Sequence, residues 1–306
     1  MSTYLENLQA MLQSTTISAT IEDSILVADH GEHVTVVESI DAANQDPEAE
    51  RIQEILLIKT KFSGEIKKAI KNNSQILIPL VNRFASLGAV FIEKDEVFLG
   101  SRLTIFEGED AWPSLQLPLC LFTIIASFEG TRGALIRDLK KQAPIGGESN
   151  WTQDDFQYTK DRLSQLSFCN ISSSGLVAEF SLREGEISAI TGSNATSLLK
   201  LRSDQPHPEL GGGLFCLLEM PHRITDKAKL LRLSQQLNLM EMAANDLPPH
   251  FGAWCEGSLG NNLAYVSFLP NPLHDAYGIA LNYAIWSLNR SRWANAMLIS
   301  LGVSVD

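Results

Sequence analysis

A chain of 306 residues is long for one ordinary hydrophobic core, and two domains are the better expectation. Apolar residues make up 44% of it and charged residues 20%, which excludes a disordered chain. The net charge of −12 is shared by both halves, and no Lys/Arg cluster is present to release counterions, so nucleic acid and anionic membrane surfaces are excluded as partners.

In chain order the first predicted element is a helix over residues 3–14, with Leu5, Leu8, Met11 and Leu12 at helical spacing and a Thr3/Glu6 capping box. The opening MSTYLENLQ carries neither the basic nor the apolar segment of a secretory signal, and no apolar run reaches the roughly 20 residues of a membrane span. A cytoplasmic protein is expected. SILVA (24–28) and VTVVESI (34–40) flank the turn-rich DHGEH and read as a hairpin. The acidic loop DAANQDPEAE follows, then ILLIKTKF (55–62), continuous enough to lie inside a sheet. A helix is predicted over 64–87, either kinked at Pro79 or with Pro79 in its first turns. Strands over 89–92 and 97–106 come next, then a helix over 115–140 broken around Gly130 and Gly133.

APIGGESN (143–150) punctuates the chain, so domains are expected at 1–143 and 151–306. Thr152 opens a helix with a capping signal. Strands follow at GLVAEFSL (175–182), EISAIT (186–191, extending through SLLKL) and LFCLLEM (214–220). Asp226 caps a helix to 245. Strands at 253–256 and 263–269 precede a terminal helical region over 271–301. In each half a Val/Leu-Asn step (Val81-Asn82, Leu237-Asn238) comes before a Gly-Ala pair (Gly88-Ala89, Gly252-Ala253). The predicted fold class is α+β: two tandem α-β-β-β-α-β-β-α domains, each an antiparallel sheet flanked by helices.

The stretch LVNRFASLGAVFIEKDEVFLGSRLTIFEG resembles the class I type III secretion chaperones and the YbjN-type bacterial proteins. Asn82, Gly88-Ala89 and Gly100-Ser101-Arg102-Leu103 carry the likeness. Gly252-Ala253-Trp254 matches it in the second half, where no Gly-Ser-Arg follows. The resemblance covers nearly the whole chain as two tandem copies. It implies binding, not catalysis: such chaperones are small acidic homodimers whose apolar grooves hold an unfolded client segment. This chain is about twice their length. Its halves are expected either to pack as a covalent pseudo-dimer, with an effective concentration in the millimolar range or so, or to stand as separate beads.

Candidate chemistry is sparse. Cys120, Cys169, Cys216 and Cys255 lie far apart in apolar runs and read as small buried hydrophobes. His30 and His33, beside Asp29 and Glu32, have a metal-catching spacing, yet in a turn they read as solvated. His207, His222, His250 and His274 sit near prolines and read as loop histidines. Ser197-x-x-Lys200 matches the first piece of a serine acylase pattern whose other pieces are missing. Gly211-Gly212-Gly213 precedes a strand instead of opening a helix, so it reads as a flexible approach and not a phosphate cradle. The glycosylation patterns Asn194-Ala-Thr196 and Asn289-Arg-Ser291 stay bare without a signal segment. No catalysis, cofactor or metal is expected.

The terminal helix, AYGIALNYAIWSLNRSRWANAMLISLG, is apolar on more than one face. Tyr283, Trp286 and Trp293 are candidate partner-binding residues, joined by Phe122 and Phe128 of the equally apolar LQLPLCLFTIIASF. The competing expectation is that these faces pack within the molecule. The leading function is a chaperone-like or adaptor module for a protein partner or client segment. The alternatives are an enzyme with its site at the interdomain cleft, and a structural homodimer. An empty cleft of converging polar residues favours the enzyme; an exposed apolar groove beside an unpaired strand favours the chaperone.

Overall fold

The computed structural model describes residues 3–15, 17–29, 33–41, 52–84, 87–106, 111–136, 147–183, 196–244, 247–274 and 278–303. The first half contains α1 (Thr3–Leu12), β1 (Ser18–Glu22), β2 (Ile25–Asp29), β3 (Val34–Asp41), β4 (Ile52–Lys61), α2 (Gly64–Asn72), α3 (Ser74–Asn82), β5 (Ala89–Glu93), β6 (Glu96–Phe106) and α4 (Ala111–Ile136). The second contains α5 (Gln153–Arg162), β7 (Ser167–Ile171), β8 (Val177–Leu182), β9 (Leu198–Arg202), β10 (Gly213–Arg223), α6 (Lys227–Ala243), β11 (Ala253–Glu256), β12 (Asn262–Pro270) and α7 (Ile279–Ser300). Each half builds a six-stranded antiparallel sheet. The orders, β1-β2-β3-β4-β6-β5 and β7-β8-β9-β10-β12-β11, are the same strand for strand.

The α+β class and the two-sheet organisation therefore follow the sequence pattern, with one added strand in each half. The additions, β1 and β7, are outer edge strands. β1 turns into β2 through Asp23 and Ser24, at φ 48° and 65°, and β5 turns into β6 through Lys94 and Asp95, at 46° and 70°. Both are two-residue turns with two left-handed positions, whose backbone twist matches that of the flanking strands. Neither carries the glycine that usually marks such a turn.

The helices depart from expectation at two points. The chain between β4 and β5 breaks at Asn73, at φ −133°, while Pro79 lies inside α3. α4 runs through Gly130 and Gly133 without a break. The predicted strand over 186–191 lies outside the described residues, and its SLLKL extension forms β9. Two expected caps are in place: Asp155 accepts from the Thr152 backbone N–H at 2.8 Å, and Asp226 accepts from the N–H groups of Ala228 and Lys229. Among the described residues no helix is long and apolar enough to cross a membrane.

Period-two alternation turns Leu26, Val37, Ile58, Leu99 and Leu103 to one face of the first sheet, under α1, α3 and α4. Phe180, Leu199, Leu201, Cys216 and Leu218 do the same in the second sheet, under α6 and α7. The two sets belong to one continuous core. The segment before α5 is strapped to the second half: Asn271 donates to the Glu148 carbonyl at 2.8 Å and accepts from the Asn150 backbone N–H at 2.9 Å. Gly212 lies beneath it, where an added Cβ would come within 2.1 Å of that carbonyl. The triple glycine is a close-packed crossing, which corrects the expectation of a flexible approach.

Candidate functional site

The matched Asn residues explain how each half ends its sheet. Asn82, closing α3, accepts from the Val90 N–H at 2.7 Å and donates back to the Val90 carbonyl. Asn238 in α6 makes the same pair of bonds to Trp254, at 2.7 and 3.0 Å. In each case a side-chain amide takes the place of a further strand on the edge, at β5 and at β11. These equivalent bonds set β5 against β11 and α3 against α6 in a residue-by-residue match.

The halves then pack reciprocally. α3 lies against β11, α6 against β5, α3 against α6, and β5 beside β11. Reciprocal contact is the mark of a two-fold interface between like units, here within one chain.

Charged groups converge at the centre of this junction. Arg102 of β6 is fully buried and donates to the carbonyls of Glu241 (3.0 Å), Leu247 (3.1 Å) and Pro248 (2.9 Å), and to Thr104. Its own backbone forms an antiparallel bridge with His250. Arg290 of α7 donates to the Glu241 carboxylate at 2.6 Å and to the Pro249 carbonyl at 2.6 Å, with its guanidinium 4.0 Å from the Tyr265 ring centre. The other Glu241 oxygen accepts from the Trp254 indole N–H at 2.7 Å and faces His250 Nδ1 at 3.3 Å. Burial alone would raise the Glu241 carboxyl, but Arg290 and His250 hold it down at about 2. Burial, aided by the two arginines, lowers His250 against the pull of Glu241. Glu241, His250, Arg102, Arg290 and Tyr265 are all shut off from solvent.

Several sequence readings change here. His250 is part of the junction. His222 lies on β10, fully buried and bonded to Asn295 at 2.5 Å, and His207 bonds the Phe84 carbonyl at 2.9 Å. His207 and His250 lie in loops as expected, though buried, whereas His222 is corrected to a strand position. His33 is buried edge-on against Phe128 at 4.0 Å and not exposed in a turn, while His30 lies outside the described residues. Ser197 faces the interior and bonds Ser291 at 2.8 Å, whereas Lys200 points out to Glu219 at 3.0 Å. Residues three apart on an extended chain point to opposite faces, so they cannot act as a pair. The cysteines are buried as expected, and burial pushes the Cys120 and Cys255 thiols up to about 12.

The proposed partner-binding residues are not brought together. Tyr283 is 1% exposed, with its hydroxyl bonded to Ser267, and Phe128 is 1% exposed between His33 and Phe62. Both are corrected to core positions, because sheet and neighbouring helices cover them from two sides. Trp286 and Trp293 are half-buried against the core, Trp286 with its ring 6.4 Å from that of Phe251. Of the five, Phe122 alone is exposed.

A different surface gathers apolar groups. Between α3 and α6, over the edge of β5, a groove is lined by Ser74, Ile78, Val90, Phe91, Ile92, Gln235, Asn238 and Leu239. Its volume of ≈ 100 Å³ is short of the roughly 300 Å³ at which small-molecule sites begin. Leu239, 46% exposed, forms its rim. No ionisable side chain lines it. Sequence reasoning missed this site. Its one local signal was Leu239-Met240, two apolar residues on the solvent side of α6.

Comparison with protein-family models, curated proteins and solved structures finds no match for this chain.

Proposed function

We propose that the chain is a non-catalytic protein-binding module, of chaperone-like or adaptor kind, that engages a segment of a partner polypeptide at the groove between its halves. The observation that carries this reading is an open, uncharged, largely apolar groove beside Ile92, the part of the β5 edge beyond the Val90 position that Asn82 closes. Peptide recognition of this sort needs an apolar seat and a nearby sheet edge. The polar residues that an enzyme would require do converge, but around Glu241, where every one of them is shut off from solvent. The likeness of the Asn82-to-Leu103 stretch to secretion chaperones and YbjN-type proteins points the same way.

The test is binding of a permanently unfolded polypeptide. Fluorescein-labelled, reduced and carboxymethylated lactalbumin is titrated with the full chain and followed by anisotropy. Saturable binding to the unfolded form, with none to the native disulfide-bonded form, is the expected result. No binding to either form at protein concentrations of about 100 μM, an affinity near the weak end of useful recognition, rejects the reading.

A further inference from the structure

Like halves should present like surfaces, yet at the junction they do not. Matching Asn82 with Asn238 and Val90 with Trp254 assigns each groove residue a counterpart on the other side. Ile92 corresponds to Glu256, and Leu239 corresponds to Arg83. On that side Arg83 reaches across to Glu256 at 2.6 Å, and Lys227 joins the same carboxylate at 2.7 Å. The remaining counterparts there, Leu230, Ser234, Trp254, Cys255, Pro79 and Asn82, are buried. One side of the junction is closed by an ion pair. The other carries Ile92 and Leu239 at those two places and stays open.

We infer that this broken symmetry marks a single site per chain, which seats one bulky aliphatic side chain from an extended, uncharged segment of a partner polypeptide. The inference rests on the protein-binding reading above and gives it a stoichiometry and a chemistry. Three observations choose the occupant. The groove continues the interface between the halves outward, so a side chain entering it extends an apolar contact already formed by Val90, Phe91 and Ile78. Its volume suits one side chain and not a whole ring system with substituents. Its polar lining, Ser74, Gln235 and the buried Asn238, is neutral, so a charged side chain would lose its water with no ionic partner. Asn82 already occupies the β5 edge at Val90. An incoming strand therefore meets β5 beyond Val90, at Ile92, beside the groove.

The test uses the isotope-labelled full chain and the blocked pentapeptide acetyl-Thr-Val-Leu-Val-Thr-amide, with an Asp-centred peptide as control. Amide shifts at Ile92 and Leu239 should saturate at one peptide per chain, and the Asp peptide should bind about tenfold or more weakly. Ile92→Glu with Leu239→Arg rebuilds the counterpart ion pair and should abolish the shifts. Leu239→Ala, a milder change at an exposed position, should weaken binding several-fold, so the test survives poor folding of the double variant. Arg83→Leu with Glu256→Ile should open a second site and raise the saturation ratio to two. Undiminished binding by the Ile92→Glu/Leu239→Arg and Leu239→Ala variants overturns this inference while leaving the protein-binding reading intact. So does unfolded lactalbumin binding in the absence of any pentapeptide shifts. Light scattering that shows a second copy of the chain filling the groove overturns it as well.

Discussion

Glu241→Gln is the sharpest perturbation of the junction, because it changes one charge and almost no volume. The carboxylate stands 2.6 Å from Arg290 and accepts the Trp254 N–H at 2.7 Å, with no solvent reaching any of the three. The amide keeps one acceptor oxygen. Its NH2 must face either the indole N–H or the guanidinium, so a donor confronts a donor. Arg290 is left charged and buried without its counter-ion, and Arg102 lies in the same enclosure. Removing one member of a buried ion pair costs about 3–5 kcal/mol. No discount for solvent screening applies, since the partners are fully covered. Guanidinium unfolding, followed by far-ultraviolet circular dichroism and Trp fluorescence, measures the loss. The double variant with Arg290→Met should recover roughly 2 kcal/mol of it, because the orphaned charge is gone. A cost for Glu241→Gln below about 1 kcal/mol, the value of an exposed pair, would refute the argument that this charge cluster is held dry.

Acidification should weaken the molecule in two stages. His250 is lowered in the fold, so the unfolded chain takes up its proton first. The stability this site contributes is complete above the unfolded value near 6.5 and falls below it, by up to about 1.4 kcal/mol per pH unit. Glu241 is lowered to about 2, so its contribution is complete above 4.5 and drains away between there and about 2. Midpoints of thermal unfolding between pH 8 and pH 5 should slope less in His250→Asn than in the parent; parallel slopes would remove His250 from the account. Asn82→Ala and Asn238→Ala each strip the amide from a strand edge and leave a buried N–H and carbonyl unmatched. Each should cost about 1–3 kcal/mol, read as a shift in denaturant midpoint, and near-zero cost at both positions would deny them their edge-closing role.

Much of the fold was legible because sheets that bury one face write themselves as alternation. Other strands were legible by different signs: Val34 to Ile40 as one arm of a hairpin around DHGEH, and Leu214 to Met220 as an almost unbroken apolar run. β1 was not, since its burial runs from exposed to half-buried and back without an apolar face. β7 was hidden by Phe168, its largest residue, which points outward at 69% exposure. The terminal helix misled in a different way. Its buried face takes in Tyr283 as well as Ala284, Leu288 and Leu298, while Ile285 and Ile299 on the same helix stay exposed, so apolar character alone did not tell the covered side from the open one. The junction lay beyond local reading. Arg102 and Arg290 come from elements far apart in the chain from Glu241 and the His250 loop that follows α6, and a charged residue taken alone is expected at the surface. Only the Gly-Ser-Arg likeness pointed toward Arg102. The groove was equally non-local, because it needs α3 and α6 from opposite halves.

The Arg83–Glu256 bridge has a consequence for why the units are joined. Two separate identical subunits related by a dyad must write every side chain twice. A bridge that shuts one flank would shut the other, and a receptive flank would come as a pair. Placing both units on a single polypeptide lifts that constraint, so one flank is free to be a lock and the other a keyhole.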